Sequence, residues 1–154
     1  MARYPGTETH VNRAGLRPGM HVRCLRMRAN ADLSLADRHG LLLQVRAQHA
    51  HVLFGARGPA HWLASEQLAA EEQPADADLA LLAGLMRTLR AERLEFDEGA
   101  LLLATPGVSG AELDAARALL GPRLAGLELR PDGVHELGVR LRVNGLAGPG
   151  AAPS

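Results

Sequence analysis

Residues 39–68 read HGLLLQVRAQHAHVLFGARGPAHWLASEQL. Leu41, Leu43 and Val45 alternate with the polar Gln44, Arg46 and Gln48. A period of two belongs to a β-strand with one face buried. After a turn near Gln48 and His49 the alternation restarts. Ala50, Val52 and Phe54 are expected to face inward, and His49, His51 and Leu53 outward. Gly55 to Pro59 breaks the pattern as a tight loop. His61 to Ala64 is a third short strand, holding Trp62, the single tryptophan of the chain. Ser65-Glu66-Gln67-Leu68 then reads as one 3₁₀ turn.

Upstream, Leu16-Arg17-Pro18-Gly19 is a turn signal. Met20 to Met27 alternates again, with Met20, Val22 and Cys24 on one face and His21, Arg23 and Leu25 on the other. Ala29 to Arg38 reads as a long loop. Residues 1–13 are polar and unpatterned and read as a flexible arm.

The order is thus strand, long loop, hairpin, tryptophan strand, turn. It resembles the SH3-like small β-barrel superfamily, with its KOW-type and Tudor-like members, over about residues 15–70. The glycine-rich start of a KOW segment is reduced here to His39-Gly40. A Tudor-like cage would need three or four aromatics, and this region offers only Phe54 and Trp62, besides Tyr4 in the arm. Methyl-lysine recognition is therefore disfavoured. What the resemblance implies is a binding module rather than an enzyme.

Downstream, residues 71–77 are acidic, contain Pro74 and read as a linker. Asp76 or Asp78 caps a helix running to about Glu92, with Leu79, Leu82, Met86 and Leu89 along one stripe. Strands are expected at 94–97 and 100–105, around the Asp97-Glu98-Gly99 turn. Ser109 and Glu112 form a capping box for a second helix, closed by Gly121-Pro122. Strands at 125–130 and 135–143 follow, and residues 145–154 read as a disordered tail. Leu94-Glu95-Phe96-Asp97-Glu98-Gly99 resembles Leu127-Glu128-Leu129 with Pro131-Asp132-Gly133, an internal repeat of about 33 residues. The expected fold class is α+β. An SH3-like β-barrel over 14–70 is followed by an αββαββ lobe over 78–144, with a four-stranded antiparallel sheet and both helices on one side.

Composition narrows the function. The chain has 154 residues, 47% hydrophobic and only 3% aromatic. Its core must come from Leu, Val and Ala, and base-stacking platforms are scarce. All 17 basic residues are arginine. Residues 1–70 carry nine of them against Glu8, Asp32, Asp37 and Glu66, a net of +5. The remainder carries eight against 13 acids, a net of −5. Such asymmetry marks either an anion-binding region or two regions that dock on each other. A lone cysteine, Cys24, leaves no internal disulfide and no cysteine-based zinc site. No apolar run suits a membrane span and no signal-peptide pattern opens the chain, so a cytoplasmic protein is expected.

Candidate chemistry is confined to surfaces. Arg23, Arg46, His49, His51, His61 and Trp62 are the candidate binding residues. Arginine forks suit phosphate. His49 and His51 share a face, and His61 or His21 would make a third imidazole if the strands met, a set able to bind zinc or another transition metal. The leading expectation is nevertheless no metal and no cofactor. On the downstream sheet Glu95, Asp97, Glu128, Arg130, Arg140 and Arg142 share one face as a charge ladder. Leu101-Leu102-Leu103-Ala104 is apolar on both faces, which argues for cover by a partner or a second copy. No P-loop, G-x-G-x-x-G, G-x-S-x-G or H-E-x-x-H occurs. The expected function is non-catalytic binding or regulation through protein–protein contacts, with self-association. The alternatives are a nucleic-acid-associated accessory protein using the Arg/His face, and a small metal-dependent enzyme using His49, His51 and His61.

Overall fold

Leu41, Leu42 and Leu43 are consecutive, and each is at most 1% exposed. A strand with one wet face would expose the middle residue. In the computed structural model, which describes residues 15–25, 38–55, 60–74, 76–131 and 136–146, both faces of this strand are covered.

The strands are β1 (His21–Cys24), β2 (His39–Arg46), β3 (His49–Leu53), β4 (Ala60–Ala64), β5 (Leu68–Glu71), β6 (Arg93–Asp97), β7 (Ala100–Thr105), β8 (Leu124–Pro131) and β9 (Leu137–Val143). Helix α1 is Ala77–Thr88 and helix α2 is Gly110–Leu120. All nine strands belong to one antiparallel sheet in the order β4-β3-β2-β6-β7-β9-β8, with β1 pairing β2 and β5 off that path. The expected α+β arrangement, a barrel followed by an αββαββ lobe with its own four-stranded sheet, is therefore corrected. What forms is one large sheet with two helices among the described residues. The joint is the bridge Gln44↔Arg93 between β2 and β6. Alternation alone could not reveal it, because a strand edge shared by two segments leaves no mark in side-chain polarity.

Two clusters fill the interior. One holds Leu16, Val22, Cys24, Leu42, Ala50, Val52, Phe54 and Leu68. The other holds Leu41, Leu43 and Leu53 together with Leu79, Leu82, Leu85, Met86 and Leu89 of α1 and the apolar face of β6, β7 and β9. β2 thus contributes Leu42 to the first cluster and its neighbours to the second. The expected common face of Leu41, Leu43 and Val45 is broken by a bulge between Leu42 and Gln44. The extra residue reverses parity, so Val45 packs with Leu42 against the first cluster.

Helix α1 stops at Thr88 rather than near Glu92. Arg90 adopts a left-handed φ of 53°. The Ala91 N–H donates to the Met86 carbonyl (2.8 Å), and the Arg90 N–H to the Arg87 carbonyl (3.3 Å). This is a Schellman closure with arginine where glycine is usual. The Arg90 side chain secures it by binding Glu112 (2.8 Å) and the Gly107 carbonyl (2.6 Å). Ser109 and Glu112 make the reciprocal capping bonds of α2.

β7 is buried along its whole length. Leu101 and Leu103 face the helices, while Leu102 lies between Glu95 and Arg140 on the charged face. The Arg140 side chain is only 12% exposed and binds Asp97 (3.4 Å), so its stem covers apolar surface while its head stays paired. The chain supplies this cover itself, and the argument for self-association from the apolar β7 falls. The arm at 1–13, most of the loop at 29–38, the Asp132-Gly133 half of a turn and the tail beyond residue 146 lie outside the described residues.

Candidate functional site

β2 and β3 turn through Ala47 and Gln48, and the register places His51 between Gln44 and Trp62. The His51 and Trp62 rings stack at 4.7 Å with an interplanar angle of 7°. The Arg46 guanidinium carbon lies 5.1 Å from the Trp62 ring centre. Both contacts reach the indole from the β2–β3 side. Trp62 remains 44% exposed, unusual for a large aromatic.

A groove of about 480 Å³ opens beside this stack. Its apolar lining is Leu43, Ala60, Leu94 and Phe96, and its polar lining is Gln44, Arg46, His51 and Glu95. Burial holds His51 below the ordinary histidine range; His61 and Arg46 push the same way, and Glu95 opposes them. Arg46 has no carboxylate partner among the described residues.

The sequence-derived candidates divide. Arg46, His51 and Trp62 come together in the groove. His49 shares their side of β3 but is exposed at its end, opposite Ala64. His61 pairs with Val52 and approaches Phe54 (6.0 Å between ring centres), on the other side of β4 from Trp62. Alternation along β4 therefore separates His61 from His49 and His51, and the described residues contain no group of three metal-ligating side chains. Arg23 sits on β1, across β2 and β3 from β4, and binds Glu71 at 3.0 Å. Gln44, Leu94, Glu95 and Phe96 were not among the candidates. The last three reach the groove only through the β2–β6 bridge.

A larger cleft of about 820 Å³ lies between the Arg17–His21 segment, Glu71 and Glu72, and the end of α1. Three of its charges are engaged within the chain: Glu71 with Arg23 and His39, Arg90 with Glu112, and Arg87 with the Gly19 carbonyl. His21 is 9% exposed, and its Nδ1 is buried without a hydrogen-bond partner. Burial lowers its pKa, Arg87 lowers it further, and Asp76 opposes.

Both His21 and His51 titrate lower in the fold than in the unfolded chain, where they protonate near 6.5. Just below that value the unfolded state binds more protons, so stability present at neutral pH is lost as pH falls through it. Urea denaturation should show a lower midpoint at about pH 5.5 than at about pH 7.5. His21→Gln should flatten that difference, and an unchanged pH dependence would remove His21 from the account.

No helix among the described residues is long and apolar enough to cross a membrane. Comparisons with protein-family models, with curated proteins and with solved structures find no match.

Proposed function

We propose that this chain is a non-catalytic binding protein that takes an extended segment of a partner protein along the open edge of β4, with Trp62 as anchor. The observation that carries this reading is the coincidence, at one residue, of an exposed indole and a strand edge that is unpaired among the described residues. The Ser65 N–H donates to the Gln48 carbonyl at 2.8 Å. Antiparallel pairs alternate between bonded and non-bonded. From that bond, Leu63 and His61 turn their backbone groups toward β3, and Trp62 turns its own outward. The Ala64 N–H, also outward, is already taken by the Gln67 side chain (3.0 Å). The free edge is thus short and centred on Trp62.

A partner strand added there gains main-chain hydrogen bonds, and alternate side chains would share the face that carries Trp62 and opens into the groove. The apolar lining suits an aliphatic or aromatic side chain, and Arg46 suits an acidic neighbour. A cytoplasmic location belongs to the same reading, for a chain with a single cysteine.

Trp62 is the only tryptophan, so its fluorescence reports on the site directly. Short peptides selected by display against the whole chain should pair an apolar with an acidic residue and shift that emission. Trp62→Ala should weaken their binding by about 30-fold, and Arg46→Ala by less. Equal binding to the Trp62→Ala chain would sink the proposal. An exposed indole beside an arginine can also stack a base against a phosphate contact. Saturable quenching by oligodeoxythymidine at low salt, with no peptide enriched, would favour the nucleic-acid alternative.

A further inference from the structure

The far edge of the sheet carries a second, independent surface. β8 pairs only with β9 among the described residues. The Asn144 N–H donates to the Arg123 carbonyl at 2.8 Å. Alternation along β9 then places Arg142, Arg140 and Gly138 in bonded pairs with Gly126, Glu128 and Arg130. Leu127, Leu129 and Pro131 consequently turn their backbone groups away from β9, to the open edge. Pro131 fits there because its missing N–H would otherwise face β9. Leu129 is 45% exposed, one of three large exposed apolar side chains among the described residues.

We infer that β8 pairs with the β8 of a second copy of this chain, antiparallel and centred on Leu129. The sequence around that centre is self-complementary. With Leu129 facing Leu129, Glu128 faces the second copy's Arg130, and Arg130 faces the second copy's Glu128. Like charges would meet in no pair. The two Leu129 residues exchange both backbone bonds, and each Leu127 N–H reaches the facing Pro131 carbonyl. The exposed Leu129 side chains meet across the twofold axis, as an isologous interface requires. Glu128 and Arg130 have side chains 62% and 44% exposed, leaving both free to turn toward the second copy. Their present partners, Arg140 at 3.7 Å and Asp97 at 3.2 Å, lie on the same face. The contact is small and belongs with weak, concentration-dependent dimers. It uses none of the residues of the β4 site.

Sedimentation across a concentration series tests it. The unmodified chain should move from monomer to dimer as concentration rises. Glu128→Arg puts like charges opposite each other at both pairs, as does Arg130→Glu, so each variant alone should stay monomeric. Mixed together they restore opposite charges at both pairs and should form a heterodimer. Amide exchange supplies a readout free of substitutions: the Leu127 and Leu129 amides should gain protection as concentration rises. A chain monomeric throughout, a dimer that survives either substitution, or a mixture that fails to associate would each overturn the inference. So would dimerisation without protection of those two amides.

Discussion

Truncating Leu42 to alanine is expected to remove about 3 kcal/mol of stability, with a similar loss for Leu41→Ala. Both side chains are fully buried. The loss combines forfeited transfer energy with the cavity left behind, because close-packed neighbours relax only in part. The two substitutions act on different clusters. Leu42 packs with Val22, Val52 and Phe54, while Leu41 packs in the cluster built around α1. Their costs should therefore add, despite adjacency in the chain. Urea denaturation of the two single variants and the double variant measures this. A cost below about 1 kcal/mol at either site would mean that the site collapses around the smaller residue. Strong coupling in the double variant would mean that the clusters are one. Because β2 serves both clusters, unfolding followed by Trp62 fluorescence and by far-ultraviolet circular dichroism should give coincident transitions.

Gly40→Ala is expected to cost about 2–3 kcal/mol and to lower the melting temperature by about 8 °C. Gly40 lies on β2 opposite Val22. A Cβ built there would stand 2.7 Å from the Leu53 carbonyl oxygen, 2.7 Å from Val52 Cγ1 and 3.1 Å from Phe54 Cδ1. A flexible side chain could swing aside. The Leu53 carbonyl belongs to the β3 backbone and moves only if the strand moves. The requirement at this position is one of space, since Gly40 has no left-handed φ. Thermal unfolding of Gly40→Ala gives the answer, and a melting temperature equal to that of the unmodified chain would show that β3 has room to shift.

Much of the local structure was legible in the residues. The hairpin around Gln48, the Trp62 strand and the Ser65–Gln67 turn follow from alternation, turn residues and a Gly-Pro break. So do the Asp76 cap and the Ser109–Glu112 box. These are short-range effects, decided by side chains and backbone groups within a few residues of each other. The end of α1 was not legible. Arg90 in the left-handed region is disfavoured locally and is held by Glu112, which lies 22 residues along the chain.

The candidate site was half legible. Arg46, His51 and Trp62 were readable as separate candidates, but the stack that joins them rests on the β3–β4 register, which the residues alone do not fix. His61 was grouped with the other histidines although strand parity opposes it, and Arg23 was included although Glu71 neutralises it. Glu95 and Phe96 could not be placed at all, because one bridge, Gln44↔Arg93, carries them to the groove.

By itself, then, the sequence determined most of the strands, the start of both helices and the residues that cap them, but not β5, nor the burial of Leu53 and His21, which alternation places on outward faces. Tertiary structure alone decided that the strands join in one sheet, that Leu41, Leu42 and Leu43 serve two clusters, and that Trp62 and Leu129 lie on the two end strands of the described sheet. The reason is physical. Burial is recorded in residue polarity, whereas the choice of a neighbouring strand rests on backbone hydrogen bonds that every residue except proline can make.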